Sequence, residues 1–139
     1  MCRTLLIIKP DAYLRDLEKA ILERVAAAGM RVVRSERRRL TRGEVEELYE
    51  EHRGKTFFEV NVDFLLSGEI GLFILVGDGD VAQGVRRLVG NKDPRLAESG
   101  TIRGDFGIDR RHAERTLVHA SANAKEAERE IALLFDGQG

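Results

Sequence analysis

The chain has 139 residues, of which 42% are hydrophobic and 34% are charged, and its formal net charge is −1. This length predicts one domain, residues 1–139, with enough apolar side chains for a core. The near-neutral charge gives no general attraction to nucleic acid or to an anionic membrane, so we expect neither partner. No stretch has the roughly 20 apolar residues of a membrane span, and no signal peptide is visible. The single Cys2 excludes an internal disulfide, and a cytoplasmic protein is expected.

The chain begins with a predicted strand and helix. Residues 4–8 form a continuous apolar run, which is typical of a strand buried on both faces. Pro10 ends this strand because it lacks an N–H group, so Lys9 lies at the carboxyl end. A helical pattern then starts at Asp16, which can cap the helix, and Gly29 can end it in the left-handed conformation.

The middle of the chain predicts one strand and two helices. Residues 30–40 alternate loosely and include three consecutive arginines, which we interpret as a solvated strand end rather than a nucleic-acid patch. Thr41 and Glu44 have the spacing of a capping box at a helix start. Apolar residues at helical spacing predict a second helix that runs to Leu66 and buries Phe58.

The second half predicts two more strand–helix units around an irregular stretch. Residues 70–76 are apolar throughout and predict a buried strand, and the helix after it ends at Gly90. Residues 91–103 show no periodicity, and a loop of this length in a compact domain is usually functional or mobile. A strand that starts at Thr116 and a helix over residues 123–135 complete the pattern.

This order of elements predicts the fold. It is βαβ, an inserted helical pair, then βαβ, which favours an α+β fold, an α/β sandwich of the ferredoxin-like, split βαβ type. We expect a four-stranded antiparallel sheet covered by helices. Lys9 and His119 would lie at strand exits, where ligands gather in α/β folds. The helix face near Tyr49 and Phe57, and the loop that ends at Arg103, can fold over that edge.

One histidine stands out chemically. His119 follows an apolar run, and small residues and then a predicted helix with Glu130 come after it. Histidine can act as a covalent nucleophile, and a carboxylate can fix its tautomer. A structural histidine beside the core is the alternative interpretation. His52 and His112 lie in polar surroundings, and we interpret both as surface residues.

A polyphosphate site needs several cations and, for a nucleotide, an aromatic surface. The candidate cations, each of which could instead be a surface charge, are Lys9, Arg86, Lys92 and Arg103. Tyr49 and Phe57 could stack on a base, with core packing as the alternative. No spacing of side chains suggests a zinc or calcium site, and neither familiar phosphate-binding glycine loop is present. We therefore expect no metal site built by the protein.

Several segments resemble the nucleoside diphosphate kinase family. They are residues 3–12, Phe57-Phe58, Ser67-Gly68, residues 100–106 (Gly-Thr-Ile-Arg-Gly-Asp-Phe) and residues 127–135. The similarity runs in order from residue 3 to about residue 135, and the string at residues 100–106 is highly specific. The resemblance implies a ping-pong transfer of the γ-phosphate of a nucleoside triphosphate, usually ATP, to a nucleoside diphosphate.

The resemblance also implies roles for single residues. His119 matches the histidine that becomes phosphorylated, Glu130 the carboxylate that orients its ring, and Ser121 the hydroxyl that supports this carboxylate. The other matches are Lys9, Arg86 and Arg103 to the cations that bind phosphate, Tyr49 to the residue beside the histidine, and Phe57 to the ring on which the base stacks. Magnesium would arrive with the nucleotide phosphates. A homo-oligomer built from dimers, a tetramer or a hexamer, is implied as well.

Three positions of the nucleotide site depart from the family pattern. Thr116 stands where the family usually has an asparagine that bonds the ribose, Lys92 where it has a threonine, and Asn61 where it has a leucine. We therefore predict an active enzyme with weaker or altered nucleotide selectivity. The alternatives are a nucleotide-binding regulatory relative with weak or lost turnover, and an RNA-binding sheet module. The last is disfavoured because two predicted strands carry only Phe73, where stacking needs several exposed aromatic rings.

Overall fold

The computed structural model describes residues 2–91, 96–107 and 116–135. The elements in chain order are β1 Cys2–Ile8, α1 Pro10–Leu14, α2 Glu18–Ala27, β2 Arg31–Arg38, α3 Arg42–Leu48, a 3₁₀ turn Glu50–His52, α4 Phe58–Leu66, β3 Ile70–Gly77, α5 Val81–Val89, α6 Ile102–Phe106, β4 Val118–Ala120 and α7 Ala124–Phe135. The strands form one antiparallel sheet in the order β2-β3-β1-β4. This confirms the predicted ferredoxin-like α+β fold.

β1 is one of the two inner strands of the sheet, and helices cover both of its faces. Leu5 and Ile7 pack with residues of α3, α4 and α7, whereas Leu6 and Ile8 pack with residues of α2 and α5. All four side chains are fully buried. Since successive side chains of a strand point to opposite faces, an uninterrupted apolar run is what a two-sided core requires. The prediction for residues 4–8 is confirmed.

The pairing of β1 with β4 brings Lys9 and His119 to one face of the sheet. His119 lies opposite Ile7, and directly opposed residues of an antiparallel pair project to the same side. Lys9 comes two residues after Ile7 and therefore continues the same side of β1. Its backbone N–H donates to the carbonyl of Leu117 at 2.9 Å. His119 lies in the middle of β4. The prediction that it lies at a strand exit was therefore wrong.

β2 forms one edge of the sheet. Among the described residues, its only strand neighbour is β3. Val32 and Val33 are 37% and 50% exposed, and the register shifts between Val32 and Arg34 as in a β-bulge. Bulges bend an edge strand and interrupt its ladder. The strand predicted over residues 30–40 is confirmed, and most of it is solvated rather than only its end.

Two short helices were not predicted. Pro10 ends β1 as expected, but it also begins α1, because proline suits the first turn of a helix. Thr101 caps α6 by accepting a hydrogen bond from the N–H of Gly104 at 2.9 Å. α6 therefore occupies part of the stretch that showed no periodicity. Each of these helices has five residues, too few for an apolar pattern to repeat.

Two predicted boundaries were wrong because of backbone geometry. α2 begins at Glu18 rather than Asp16, since Asp16 has a φ of 56° and cannot belong to the helix. The last strand begins at Val118 rather than Thr116, since Leu117 has a φ of 70°. Gly29, with a φ of 86°, ends α2 as predicted. In the described parts of the chain, no helix has the length and hydropathy needed to span a membrane.

Candidate active site

A cavity of about 660 Å³ opens at the edge of the sheet, beside the β1–β4 pair. The predicted site residues that line it are Lys9, Tyr49, Phe57, Arg86, Arg103, Thr116, His119 and Glu130. They come from seven separate segments of the chain, so the fold brings together residues that are far apart in sequence. Ser121 is buried behind the cavity wall. Lys92 lies outside the described residues.

His119 is held by a buried carboxylate. Its Nε2 lies 3.0 Å from Oε1 of Glu130, and the Ser121 hydroxyl donates to the same oxygen at 2.7 Å. Glu130 projects from α7, which packs on β1 through Ile131, and is 3% exposed. Burial raises the pKa of Glu130, but the bonds from His119 and Ser121 outweigh it and leave the pKa below its ordinary value.

This pair determines which nitrogen of the imidazole is available. An ionised carboxylate only accepts hydrogen bonds, so Nε2 of His119 carries the proton and donates it. Nδ1 then carries the lone pair, and it has no hydrogen-bond partner among the described residues. The side chain is 20% exposed. Tyr49 meets the histidine ring edge-on, with 6.1 Å between centroids and 79° between planes.

Tyr49 keeps its proton at neutral pH. Burial raises the pKa of the Tyr49 hydroxyl, and the nearby charge of Glu130 raises it further. Tyr49 follows the end of α3, whose last carbonyls, of Glu47 and Leu48, accept hydrogen bonds from Arg129 of α7. The helix that bears Glu130 thus also fixes the position of Tyr49.

Arg103 is a buried cation of the cavity wall, with 7% of its surface exposed, as is Lys9. Its Nε, Nη1 and Nη2 donate to the carbonyls of Thr116, Gly90 and Val118, at 3.0, 3.1 and 2.7 Å. Burial, and then the charge of Arg86, lower the pKa of Arg103 to about 10. The guanidinium therefore stays charged at neutral pH, and five N–H groups leave it donors to spare.

Two further cations face the same space. Lys9 Nζ donates to Oγ1 of Thr116 at 3.0 Å, so this threonine holds the lysine head group. Arg86 projects from α5, and its Nη1 lies 3.5 Å from the carbonyl oxygen of Ala120. Three positive charges thus converge beside His119, which is the arrangement that a polyphosphate requires.

The outer wall of the cavity is aromatic. Phe57 is 43% exposed, and the ring of His52 lies 5.5 Å from it between centroids. Lys55 Nζ lies 5.7 Å from the Phe57 centroid, and the Asn61 amide donates to the Phe57 carbonyl at 3.0 Å. The prediction that His52 is a surface residue was therefore wrong, since it packs on Phe57 and lines the cavity. Its position one turn after Tyr49 could have indicated that the two side chains lie on the same side. His112 lies outside the described residues.

Comparison with known proteins identifies the family. The nucleoside diphosphate kinase family model matches residues 2–139. The nucleoside diphosphate kinase of Saccharolobus solfataricus is 40% identical over 134 residues, which cover 96% of this chain and 94% of that protein. That of Pyrococcus furiosus is 41% identical over 133 residues, 96% of this chain and 82% of that protein. The chain belongs to the nucleoside diphosphate kinase family.

Solved structures of the family share the fold. An apo nucleoside diphosphate kinase from Encephalitozoon cuniculi superimposes with a TM-score of 0.90 at 32% identity, over 97% of this chain and 89% of that one. A halophilic member from Halobacterium salinarum in complex with CDP gives 0.89 at 38% identity, over 96% and 87%. As a member of this family the chain is a phosphotransferase, and a regulatory relative without turnover is not favoured.

The string at residues 100–106, which carries much of the family resemblance, has a structural basis. Thr101 caps α6, and a Cβ at Gly104 would overlap the carbonyl oxygen of Glu98. Ile102 is fully buried and fixes the helix to the core, so the next residue, Arg103, is directed at the cavity. Thr101, Ile102 and Gly104 together place α6 and, with it, the guanidinium of Arg103.

The described residues contain no group of three or more His, Cys, Asp or Glu side chains placed to hold a metal ion. The acidic residues that line the cavity are Glu51, Glu126 and Glu130. Of these, Glu130 is already engaged by His119 and Ser121. The cavity also presents the cations Lys9, Arg86 and Arg103, which suit a ligand that brings negative charge with it.

Proposed function

We propose that this chain moves the γ-phosphate of a nucleoside triphosphate to a nucleoside diphosphate, with His119 as the carrier. One observation supports this most strongly. Glu130 binds Nε2 of His119, and Nδ1, which has no hydrogen-bond partner among the described residues, is left for a ligand in a cavity lined by Lys9, Arg86 and Arg103. A nucleophile with a fixed tautomer beside a cluster of cations is the arrangement that phosphoryl transfer needs.

In the first half-reaction, the Nδ1 lone pair of His119 forms a bond to the γ-phosphorus. The bond from that phosphorus to the β,γ-bridging oxygen breaks, and its electron pair leaves with the nucleoside diphosphate. The Nε2 proton stays between the imidazole and Glu130, whose charge balances the positive ring. In the second half-reaction, a β-phosphate oxygen of another diphosphate attacks the phosphorus, and the N–P bond breaks.

The cations and Tyr49 act on the phosphates rather than on the histidine. Transfer passes through a loose transition state with charge spread over the phosphoryl oxygens, so fixed donors lower the barrier by positioning and charge stabilisation. Lys9, Arg86 and Arg103 supply positive charge, and the Tyr49 hydroxyl supplies a neutral donor. Mg²⁺, carried by the nucleotide, would further neutralise the phosphate oxygens. A cavity lined by these three cations suits a metal–nucleotide complex better than a bare metal ion.

The nucleoside would lie along the outer wall. Phe57 is exposed enough to stack on a base, and stacking of this kind contributes about 1–3 kcal/mol without strong base preference. Thr116 is shorter than the asparagine usual in the family, and its hydroxyl is engaged with Lys9. We therefore infer that ribose recognition is altered, while the phosphate and base contacts are kept. Lys92 remains a proposed phosphate contact.

We further propose that the chain forms a homo-oligomer built from dimers, as a tetramer or a hexamer. The exposed edge of β2, with Val32 and Val33, supports a dimer because an open strand edge can pair with a second strand. We place the reaction in the cytoplasm, where nucleotide pools are held.

The test of the phosphotransfer proposal is to mix the protein with ATP and Mg²⁺ and to measure its intact mass. We expect one added phosphoryl group that is lost in acid and is passed to GDP. His119→Ala removes the adduct, whereas the matched control His112→Ala, at a histidine that the sequence predicts at the surface, keeps it. No adduct, or an adduct that survives His119→Ala, would overturn the proposal. An adduct that cannot be passed to any diphosphate would favour a regulatory role.

A further inference from the structure

The segment immediately before His119 contains a strained turn. The N–H of Val118 donates to the carbonyl of Thr116 at 2.8 Å, and Leu117 between them has a φ of 70°. A bond from residue i+2 to residue i around a positive φ is a γ-turn of the rare type. A residue other than glycine pays for this conformation with backbone strain, so surrounding contacts must hold it.

Both peptide groups of Leu117 are tied to the segment that follows β1. Its N–H donates to Oδ2 of Asp11 at 3.1 Å, and its carbonyl accepts from the N–H of Lys9 at 2.9 Å. Asp11 lies in the first turn of α1 and is 7% exposed. Burial raises the pKa of Asp11, and the bond from Leu117 is the largest contribution that opposes this.

Arg103 holds the same turn from the other side. Its Nε donates to the carbonyl of Thr116, and its Nη2 donates to the carbonyl of Val118. The backbone is therefore fixed before, at and after Leu117. Asp11 does not line the cavity, whereas Arg103 does. The charge of Asp11 acts on Lys9 and Arg103, and Asp11→Asn removes this charge while it keeps the acceptor for Leu117, so the two effects can be separated.

We propose that Asp11 is a positioning residue, which holds the γ-turn at Leu117 in the shape that orients His119 for phosphoryl transfer. His119 follows this turn by two residues, in a strand of only three residues. The turn fixes where β4 begins and therefore which residues of β1 it pairs with. If the turn relaxes, this pairing can change, and His119 shifts relative to Glu130 and Lys9. The inference rests on the proposed role of His119 as carrier. A misplacement of about 1 Å can slow such a reaction about 100-fold.

The experiment compares Asp11→Ala with Asp11→Asn in single-turnover phosphorylation by ATP, quenched in alkali because the adduct is acid-labile. We expect Asp11→Ala to slow phosphorylation of His119 at least tenfold relative to Asp11→Asn, with an affinity for ADP that matches that of Asp11→Asn, since both variants lose the same charge. Asp11→Asn restores most of the rate, because its amide oxygen still accepts from the N–H of Leu117. Asp63→Ala, which changes an exposed aspartate that does not line the cavity, is the matched control with the rate of the wild type.

A rate for Asp11→Ala equal to that of the wild type, per folded molecule, would overturn the inference. So would an equal loss in Asp11→Ala and Asp11→Asn. If the wild type takes up no phosphate on His119, the proposed function fails instead, and the two failures are distinct.

If Asp11→Ala does not fold, a second pair of variants tests whether the turn at Leu117 is strained. Leu117→Gly and Leu117→Ala delete the same packing, but only glycine adopts a positive φ without strain. We expect the glycine variant to unfold at a higher temperature and to be phosphorylated faster than the alanine variant. Equal or reversed values would show that the turn stores no strain, and would overturn the inference.

Discussion

At the scale of single residues, Thr116 shows how one side chain can serve a neighbour instead of a ligand. Its hydroxyl accepts a hydrogen bond from Lys9 Nζ, and its carbonyl accepts one from Arg103 Nε. It is 6% exposed, so both bonds are shielded from water. This residue, which departs from the family pattern, therefore holds two of the cations that line the cavity. Its identity affects the whole phosphate site.

We expect Thr116→Val to weaken ADP binding about tenfold, because Lys9 loses an acceptor that helps to hold its head group. The dissociation constant for ADP, measured by calorimetry, checks this. Thr4→Val is the matched control: Thr4 Oγ1 is buried without a hydrogen-bond partner among the described residues, on the face of β1 opposite to Leu5 and Ile7. That variant should bind ADP normally and be at least as stable. Normal binding by Thr116→Val would contradict the assignment.

At the scale of elements, Arg38 joins β2 to two helices. Its guanidinium donates to both oxygens of Glu44 in α3 at 2.9 Å, and to the carbonyl of Leu134 in α7 at 3.0 Å. Glu44 also completes the capping box with Thr41. The bond from Arg38 lowers the pKa of Glu44. This contact therefore stabilises the fold only while Glu44 is ionised.

The lowered pKa of Glu44 determines how the stability from this contact depends on pH. A carboxyl group with a lowered pKa in the folded state contributes stability above its unfolded pKa and loses it as the pH falls through the folded value. We expect Glu44→Gln to lower the free energy of unfolding by about 1 kcal/mol at pH 7, with the difference closing below about pH 4.5. Urea unfolding at pH 7 and pH 3.5 measures this, with Glu47→Gln as control. An equal difference at both pH values would contradict it.

The elements that the sequence predicted are those whose patterns are local. The apolar run at residues 4–8 predicts β1, and the capping box at Thr41 predicts the start of α3. The γ-turn at Leu117 could not be predicted, because the groups that hold it, Asp11 and Arg103, come from distant segments. α1 and α6 were missed for a related reason: Pro10 and the Thr101 cap are local signals, but each helix has only five residues and depends on tertiary contacts for its stability.

At the scale of the whole molecule, the order of strands and helices was enough to predict the sheet. The candidate site was predicted through the family resemblance, which matched residues one by one. Sequence alone could not predict that Nε2 of His119 bonds Glu130, because this bond depends on how α7 packs on β1. The roles of these residues stay predictions.

The edge of β2 carries the prediction for assembly. We expect the wild type to have a mass in solution that is a multiple of 15.6 kDa, and Val33→Lys to lower it, because a charge on an open edge opposes strand pairing. Multi-angle light scattering measures the mass. Val60→Lys, at an equally exposed position of α4, is the control and should assemble normally. A monomeric wild type, or an unchanged mass for Val33→Lys, would contradict the proposed dimer.

The central claim is that His119 carries the phosphoryl group on one particular nitrogen. Glu130 binds Nε2, and Nδ1 has no partner among the described residues, so phosphorylation should occur at Nδ1. The most direct measurement is to phosphorylate the protein with ATP, hydrolyse it in alkali and separate the two isomers of phosphohistidine by chromatography. We predict the isomer phosphorylated on Nδ1. Recovery of the Nε2 isomer, or of no phosphohistidine, would contradict the account.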